Sequence, residues 1–501
     1  MTSIMPVHTA SVREHTFIST EHPRRRIALL LIFLLASFAC YIALSLVAPQ
    51  LDQPIGPFML TWAVCFLCYL VACLWVLASR PTTGRWRWAE IALIFVGAII
   101  FRVMLVHLPL GLSRDAWRYL WDARVIAHGF SPYQFAPLDK ALLPLRDSVF
   151  ANTPYRELPT KYPPGAELFY VLGYLLTPTN LVGLKSLFVV CDLITCVALA
   201  ALLIQKGKDP RYVILYAWCP LPIIEFAIQG HVDVLPICCT VLAVLCATSS
   251  RQGIRILAGV FLGLATLTKL YPLILLLVLL RRRDWSLLIA CGLTIVLGYI
   301  PFFILGHGNI LDGSPVSAIL GQRESHIAVI QNVLFITGSK LHINGEFTKI
   351  LVECVEVLII GATLLLVILG RLRGRMSTEM GTLLLTGVIL MIYAHIFPWY
   401  APALLPWIAL TMGPLWTKSG LSAKVLAVVM VWYFTFTCVT SYIPGLKEYV
   451  TVANWLLYYA FTFGVVFIGL VVAALLAFVR ARGSRAKEQE TQKSSGAIRY
   501  S

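Results

Sequence analysis

The residues best able to do chemistry in this chain lie between Ser113 and Tyr133, in the run SRDAWRYLWDARVIAHGFSPY. Ser113 is a good helix N-cap, and Gly129 followed by Ser131-Pro132 is a good stop. Between them Asp115, Arg118, Tyr119 and Asp122 recur at helical spacing and share one face. Trp117, Trp121 and Arg124 mark a second face, with the composition of the lipid-headgroup level. The spacing predicts a short helix lying on the membrane surface with Asp115 in its first turn. The helix dipole there favours the ionised carboxylate, the form that a general base needs. The same spacing serves equally well an interfacial helix whose charges only pair with one another.

Other polar residues stand out downstream. Lys269, just before Leu270-Tyr271-Pro272 in an otherwise apolar stretch, could hold its ammonium against a phosphate. The plainer account is a lysine snorkelling to the interface. His231 and Asp233, in Gly230-His231-Val232-Asp233, are too few for a metal site and suit acceptor binding or loop bracing. His395, shortly before Phe397-Pro398-Trp399-Tyr400, suits a packed histidine and a phosphate contact alike. Asp192 and Glu225 sit inside apolar runs and read as structural groups paired between helices, while Tyr162-Pro163-Pro164 ends a loop rigidly. No Walker loop, dinucleotide glycine pattern or HExxH occurs, and neither a metal nor a cofactor is expected. Without a nucleotide site, the energy for a synthetic reaction must arrive with the substrate. A membrane-embedded donor carrying an activated phosphate would supply it.

The elements that position these residues follow from composition. The chain has 501 residues, 59% hydrophobic and 13% charged, with a mean hydropathy of +0.82. The apolar residues come in runs of about twenty, the length of a membrane-spanning helix, so the chain reads as an all-α polytopic membrane protein. Its net charge of +16 sits in short connections between those runs, which is topology rather than nucleic-acid binding. The 13 cysteines lie in apolar runs and read as small hydrophobes in helix packing.

Keeping the basic clusters on one side orients the chain. Residues 1–26 form a cytoplasmic tail ending in Arg24-Arg25-Arg26, and 27–479 form the membrane domain. Crossings are predicted at 27–48, 58–79, 90–109, 181–204, 212–229, 234–248, 285–305, 350–370, 382–396, 401–416, 425–442 and 452–478. Residues 166–176 are too short to span. The outer loop 110–165 then carries Asp115 on short interfacial helices, and 306–345 forms a second outer loop with Asp312, Arg323, Glu324 and His326. Residues 256–280 have basic ends on both sides, Arg255 and Arg281-Arg282-Arg283, and a re-entrant hairpin broken near Lys269 keeps both inside. The expectation is about twelve crossings plus this hairpin, with a disordered basic tail over 480–501. Asp115, Asp122, Arg124, His128, Tyr162, His231, Asp233, His326, His395 and Tyr400 then gather at the outer interface. Ionisable groups there mark functional sites by default.

With these motifs in order, the chain resembles the GT-C glycosyltransferases, and most closely family 87. The resemblance runs from Arg114-Asp115-Ala116-Trp117-Arg118-Tyr119 through Lys161-Tyr162-Pro163-Pro164-Gly165, Tyr216-Ala217-Trp218, Glu225-Phe226-Ala227, Gly230-His231-Val232-Asp233 and Thr268-Lys269-Leu270-Tyr271-Pro272 to Pro398-Trp399-Tyr400. It implies a GT-C-like bundle whose site lies at the outer membrane face. It also implies a polyprenyl-monophosphate sugar as donor, inverting transfer, and an aspartate base that maps onto Asp115. The donor phosphate would meet Lys269, Arg124 and His395. Arg118, Tyr119, Asp122, Tyr162, His231, Asp233 and Tyr400 would contact substrate. Mannose is the sugar the resemblance suggests first, and the acceptor could be glycolipid, glycan or protein. One departure is that an extra pair of spans precedes the one leading into the loop, where many relatives have only that one. A flippase or transporter of a lipid-linked sugar would use the same outer pocket without chemistry, but should show an internal repeat, and none is visible.

Overall fold

The computed structural model describes residues 22–47, 55–281, 284–307, 334, 337–338, 342–392, 397–417, 420–445 and 451–497. Apolar runs become helices here because a bilayer offers no partner for a free N–H or C=O. Eight helices among the described residues are long and apolar enough to cross a membrane, or nine if a bent pair counts as one span. They begin with α1 (Pro23–Leu46), α2 (Gly56–Ala78) and α3 (Gly84–Leu105). The loop after α3 then holds α4 (Asp115–Ala127), a 3-10 turn over Lys140–Leu145 and α5 (Ser148–Asn152). Helix α6 (Pro164–Leu176) has 13 residues, too few to span, and leads to the crossing helix α7 (Val182–Gln205).

The difference from twelve crossings arises where the predicted spans are short or broken. The stretch at 212–229 is a 3-10 turn, α8 (Ile214–Ala217), α9 (Pro220–Pro222) and a π-helical turn over Ile223–Ile228, bent by 48°. Helix α10 (Val234–Ala247) has 14 residues, below the roughly 20 of a straight crossing, and the helix Thr378–Ile392 covers 15 of the described residues. Pro398 and Pro402 open the 401–416 stretch as a 3-10 turn before a helix of 7 residues, Leu405–Thr411. A strand pair, Trp416–Thr417 with Gly420–Leu421, is the only β structure among the described residues. One expectation is overturned at the C-terminus. The helix Val465–Ala497 continues through residues read as a disordered tail, because that Ala-, Lys-, Glu-, Gln- and Arg-rich stretch has high helix propensity.

The break between α8 and α9 explains the additional N-terminal pair of helices. Pro220 and Pro222 bring no N–H, so the preceding turn is left with carbonyls that need donors. Tyr69 of α2 donates to Leu215 O at 2.7 Å, and Arg102 of α3 donates to Ala217 O at 2.8 Å. Tyr41 of α1 reaches Trp218 O at 3.4 Å. Arg102 is itself held by Asp192 of α7 at 2.6 Å, and Tyr216 donates to the same carboxylate at 2.5 Å. Asp192 is thus the paired structural group expected of an acid inside a span.

Charge divides the bundle into two ends. At one end Glu90 pairs with Arg26 and Arg211, both at 2.9 Å, and Lys206 pairs with Glu379 at 2.5 Å. The segment 252–281 starts and finishes at this end. It runs away from that end as α11 (Gln252–Thr266), turns at 267–270, and returns through a 3-10 turn over Tyr271–Leu275 and α12 (Leu276–Leu279). Its two ends meet where Arg255 donates to Leu279 O at 3.1 Å and pairs with Asp284. Arg281 donates to Ala247 O at 2.9 Å, and α13 (Trp285–Leu305) then packs along α11. The turn at 267–270 therefore lies at the opposite end, beside α4 and α6.

Candidate active site

Helix α4 starts at Asp115, whose backbone N–H donates to Ser113 Oγ at 3.2 Å, and Asp115 itself is half-buried. One turn on, Arg118 donates to both oxygens of Asp122, at 2.8 and 2.9 Å. Its remaining donors reach Tyr155 O at 2.7 Å and Leu158 O at 2.9 Å, which fastens the far side of this loop to the helix. Asp122 is buried beside Glu167 of α6, which accepts from Thr160 Oγ1 at 2.6 Å. Burial pushes the Glu167 carboxyl well above the usual carboxylate range, and the charge of Asp122 pushes it further. Burial likewise raises Asp122, against the pull of Arg118. Tyr119 stacks on Tyr170 with ring centroids 4.5 Å apart, and its hydroxyl lies 3.2 Å from that of Tyr162.

The face expected at the headgroup level is not exposed to lipid. Trp121 is buried against Phe150 of α5, with ring centroids 5.2 Å apart. Arg124 pairs with Asp147 and donates to Leu145 O at 3.2 Å and Pro178 O at 2.9 Å. Helical spacing shows that two faces differ but not what covers each, and here the loop folds back over the second face.

The opposite wall is built from the turns at 229–233 and 267–270. Gln229, fully buried, accepts from Gly111 N at 3.2 Å and Leu112 N at 3.1 Å. Lys185 of α7 donates to Leu108 O at 2.6 Å, so both ends of the approach to Asp115 are tied down. Gly230 has φ +67°, and a Cβ there would lie 3.1 Å from Lys185 Cγ and 3.3 Å from Ala116 Cβ. The turn thus packs directly on the residue after Asp115. His231 Nδ1 lies 2.9 Å from Glu225 Oε2, in contact but not aligned as a hydrogen bond, and its ring stacks on Trp399 at 3.9 Å. Tyr442 donates to the same Glu225 carboxylate at 3.1 Å.

Lys269 Nζ lies 3.4 Å from Asp233 Oδ1, 5.5 Å from the Tyr162 ring centre and 4.8 Å from that of Tyr400. Two aromatic faces and a carboxylate together fix its ammonium. Gly165 makes this possible, because its N–H donates to Leu267 O at 2.8 Å and a Cβ there would lie 2.7 Å from Leu267 Cβ. Lys161-Tyr162 is thereby laid against the turn that bears Lys269. Burial holds the Asp233 carboxyl above its usual range, opposed by Lys269 and His231 and assisted by the charge of Asp115. Burial lowers the Lys161 ammonium, with Asp115 opposing and Lys269 adding to the shift. Asp115, Lys161, Asp233 and Lys269 therefore act on one another through one site. Asp233 Oδ2, His231 Nε2 and Gln229 Nε2 are buried there without a hydrogen-bond partner among the described residues. Groups in that condition are paired when a polar ligand arrives.

The structure thus brings together Asp115, Tyr119, Tyr162, His231, Asp233, Lys269 and Tyr400. Arg118 and Asp122 stand one turn away as braces, Arg124 is engaged at the far end of α4, and His395 lies outside the described residues. Sequence reasoning passed over Lys161, Gln229 and Trp399. Lys161 and Trp399 stand inside motifs it did single out and Gln229 directly precedes one, and that position was the available signal. Gln229→Leu strands the buried N–H of Gly111 and the part-buried N–H of Leu112, at about 1–3 kcal/mol for the first and less for the second. A lowered midpoint of thermal unfolding in detergent is expected, and an unchanged one would show that the clamp on Gly111 and Leu112 is idle.

Residues 160–394 match the sequence model of glycosyltransferase family 87. The matched stretch takes in Lys161-Tyr162, Asp192, the turn from Gln229 to Asp233, and Lys269, while α4 with Asp115 precedes it. The wall that holds Asp233 and Lys269 thus lies in a stretch similar to the family 87 glycosyltransferases, and that match together with the apolar helices supports a membrane glycosyltransferase.

Proposed function

We propose that this enzyme transfers a hexose, with mannose the first choice, from a polyprenyl monophosphate to an acceptor hydroxyl, with inversion and with Asp115 as general base. The observation that carries this is the shared site: the first turn of α4, which bears Asp115, packs through Ala116 on the turn at Gly230, beside a lysine clamped between Asp233, Tyr162 and Tyr400. Asp115 takes the proton of the acceptor hydroxyl as its oxygen bonds to the anomeric carbon. The bond from that carbon to the phosphate oxygen breaks on the opposite side, and the electron pair leaves with the polyprenyl phosphate. A single displacement inverts the centre. Lys269, with Lys161 beside it, stabilises the leaving phosphate in a partly dry site where a fixed cation is worth most. Arg124 has no part in this scheme because its guanidinium braces the loop.

The topology rule places the basic end of the bundle in the cytoplasm, so the site end faces outward from the cytoplasmic membrane, on the periplasmic or extracellular side. The doubled-back segment 252–281 is then a re-entrant hairpin with Lys269 at its tip. The partners are the lipid-linked donor, the bilayer, and a glycolipid, glycan or protein acceptor. The test is incubation of purified protein in vesicles with radiolabelled polyprenyl-phosphate mannose and glucose. Label appearing on an acceptor is the expected result. Label that crosses the bilayer without transfer would replace this reading with a carrier.

A further inference from the structure

We propose that Tyr155 is the platform of an acceptor subsite beside Asp115, and that the acceptor it takes is a sugar ring. The inference rests on Asp115 as the group that receives the acceptor proton, and it adds the chemical class of the molecule that carries that hydroxyl.

Tyr155 has φ +52°, a left-handed conformation that residues with a side chain rarely adopt. Its carbonyl accepts from Arg118 Nη1 at 2.7 Å and from Leu158 N at 3.2 Å. Arg118 is fixed in turn by the buried Asp122, and Thr153 Oγ1 donates to Trp117 O at 3.4 Å. The first turns of α4 thus hold this backbone in its costly shape. Nothing in the core gains from it, because the residue is 58% exposed. Among the described residues the ring contact is Lys161, whose Nζ lies 5.8 Å from the ring centre. A strained residue that buries nothing points to a use outside the fold.

Position gives that use its chemistry. Arg118, which holds Tyr155, lies one turn beyond Asp115, and the Asp115 charge reaches the Tyr155 hydroxyl. The bearer of a hydroxyl at Asp115 then has the Tyr155 ring and Lys161 beside it. A flat aromatic face edged by a carboxylate and an ammonium matches a pyranose, which has an apolar C–H face and hydroxyls around its rim. A lipid alcohol needs an apolar groove there and a peptide needs backbone partners; Tyr155 with two opposite charges supplies neither.

The test uses the full-length enzyme, polyprenyl-phosphate mannose as donor, and octyl hexopyranosides or a serine-containing peptide as acceptors. Tyr155→Gly removes the ring and relieves the backbone together, because glycine accepts positive φ. Thermal unfolding at or above the wild-type midpoint is expected, with the glycoside KM raised tenfold or more. Tyr155→Trp should keep KM within about threefold, since a larger aromatic face preserves the platform. A wild-type glycoside KM in Tyr155→Gly overturns the inference, and so does weaker binding to liposomes with KM unchanged, which would make Tyr155 a membrane anchor. Wild-type transfer to the peptide but to no glycoside also overturns it and leaves the role of Asp115 standing. Failure of the wild type to transfer from any polyprenyl-phosphate sugar would instead overturn the reading on which it rests.

Discussion

Replacing Asp115 with asparagine is expected to lower kcat by about two to four orders of magnitude, the range that a positioned general base contributes. Donor binding and thermal unfolding should stay near those of the wild type. Asparagine keeps the shape of the side chain and the first-turn position, and the hydrogen bond recorded at this residue, from its backbone N–H to Ser113 Oγ, is untouched. The contacts that hold α4 in place belong to other residues, Arg118 with Asp122 and Arg124 with Asp147. A kcat within about threefold of wild type would remove Asp115 from the base role and turn attention to Asp233. That carboxylate is a weaker candidate, being 3% exposed, held above its usual range by burial, and committed to Lys269. The measurement is single-turnover transfer from a radiolabelled donor, which separates the chemical step from binding.

What could be read from the sequence was whatever depends on period and on punctuation. Gly129, at φ +82°, closes α4 as a local stop signal should, while Arg114 rather than Ser113 takes the N-cap position, and runs of apolar residues announce helices because lipid forbids alternatives. A break near Lys269 was legible from Pro272, and the chain does turn at 267–270. What lay hidden is set by contacts distant in sequence. Nothing near Gln229 indicates that its oxygen accepts from Gly111 and Leu112, more than a hundred residues earlier. Arg124 has the character of a phosphate ligand until Asp147 is seen beside it. The number of crossings was obscured by proline, which shortens or bends apolar stretches without lowering their hydropathy. The second N-terminal helix is the clearest instance. It looked like an anomaly, but Tyr69 meets a carbonyl stranded by a proline break 146 residues on.

Lys269→Ala is expected to have two separable effects. Transfer should fall by about 10²–10³ in kcat, because the departing phosphate loses a preorganised cation. Stability should fall by roughly 3 kcal/mol, the low end for breaking a buried ion pair, since the lysine side chain keeps 18% exposure while its partner Asp233 keeps 4%. The second effect can be cancelled without restoring the first. In Lys269→Ala with Asp233→Asn no buried carboxylate is left uncompensated, so the unfolding midpoint should return most of the way to wild type. Activity should stay low, because an asparagine beside an alanine offers the phosphate no charge. Lys269→Arg, which keeps the cation and its place over Tyr162 and Tyr400, should retain far more activity than Lys269→Ala. If the double variant regained transfer along with stability, Lys269 would be a brace for the turn at 233 and the phosphate would need another partner. Lys161, across the same site and sharing its electrostatics, would be the next residue to change.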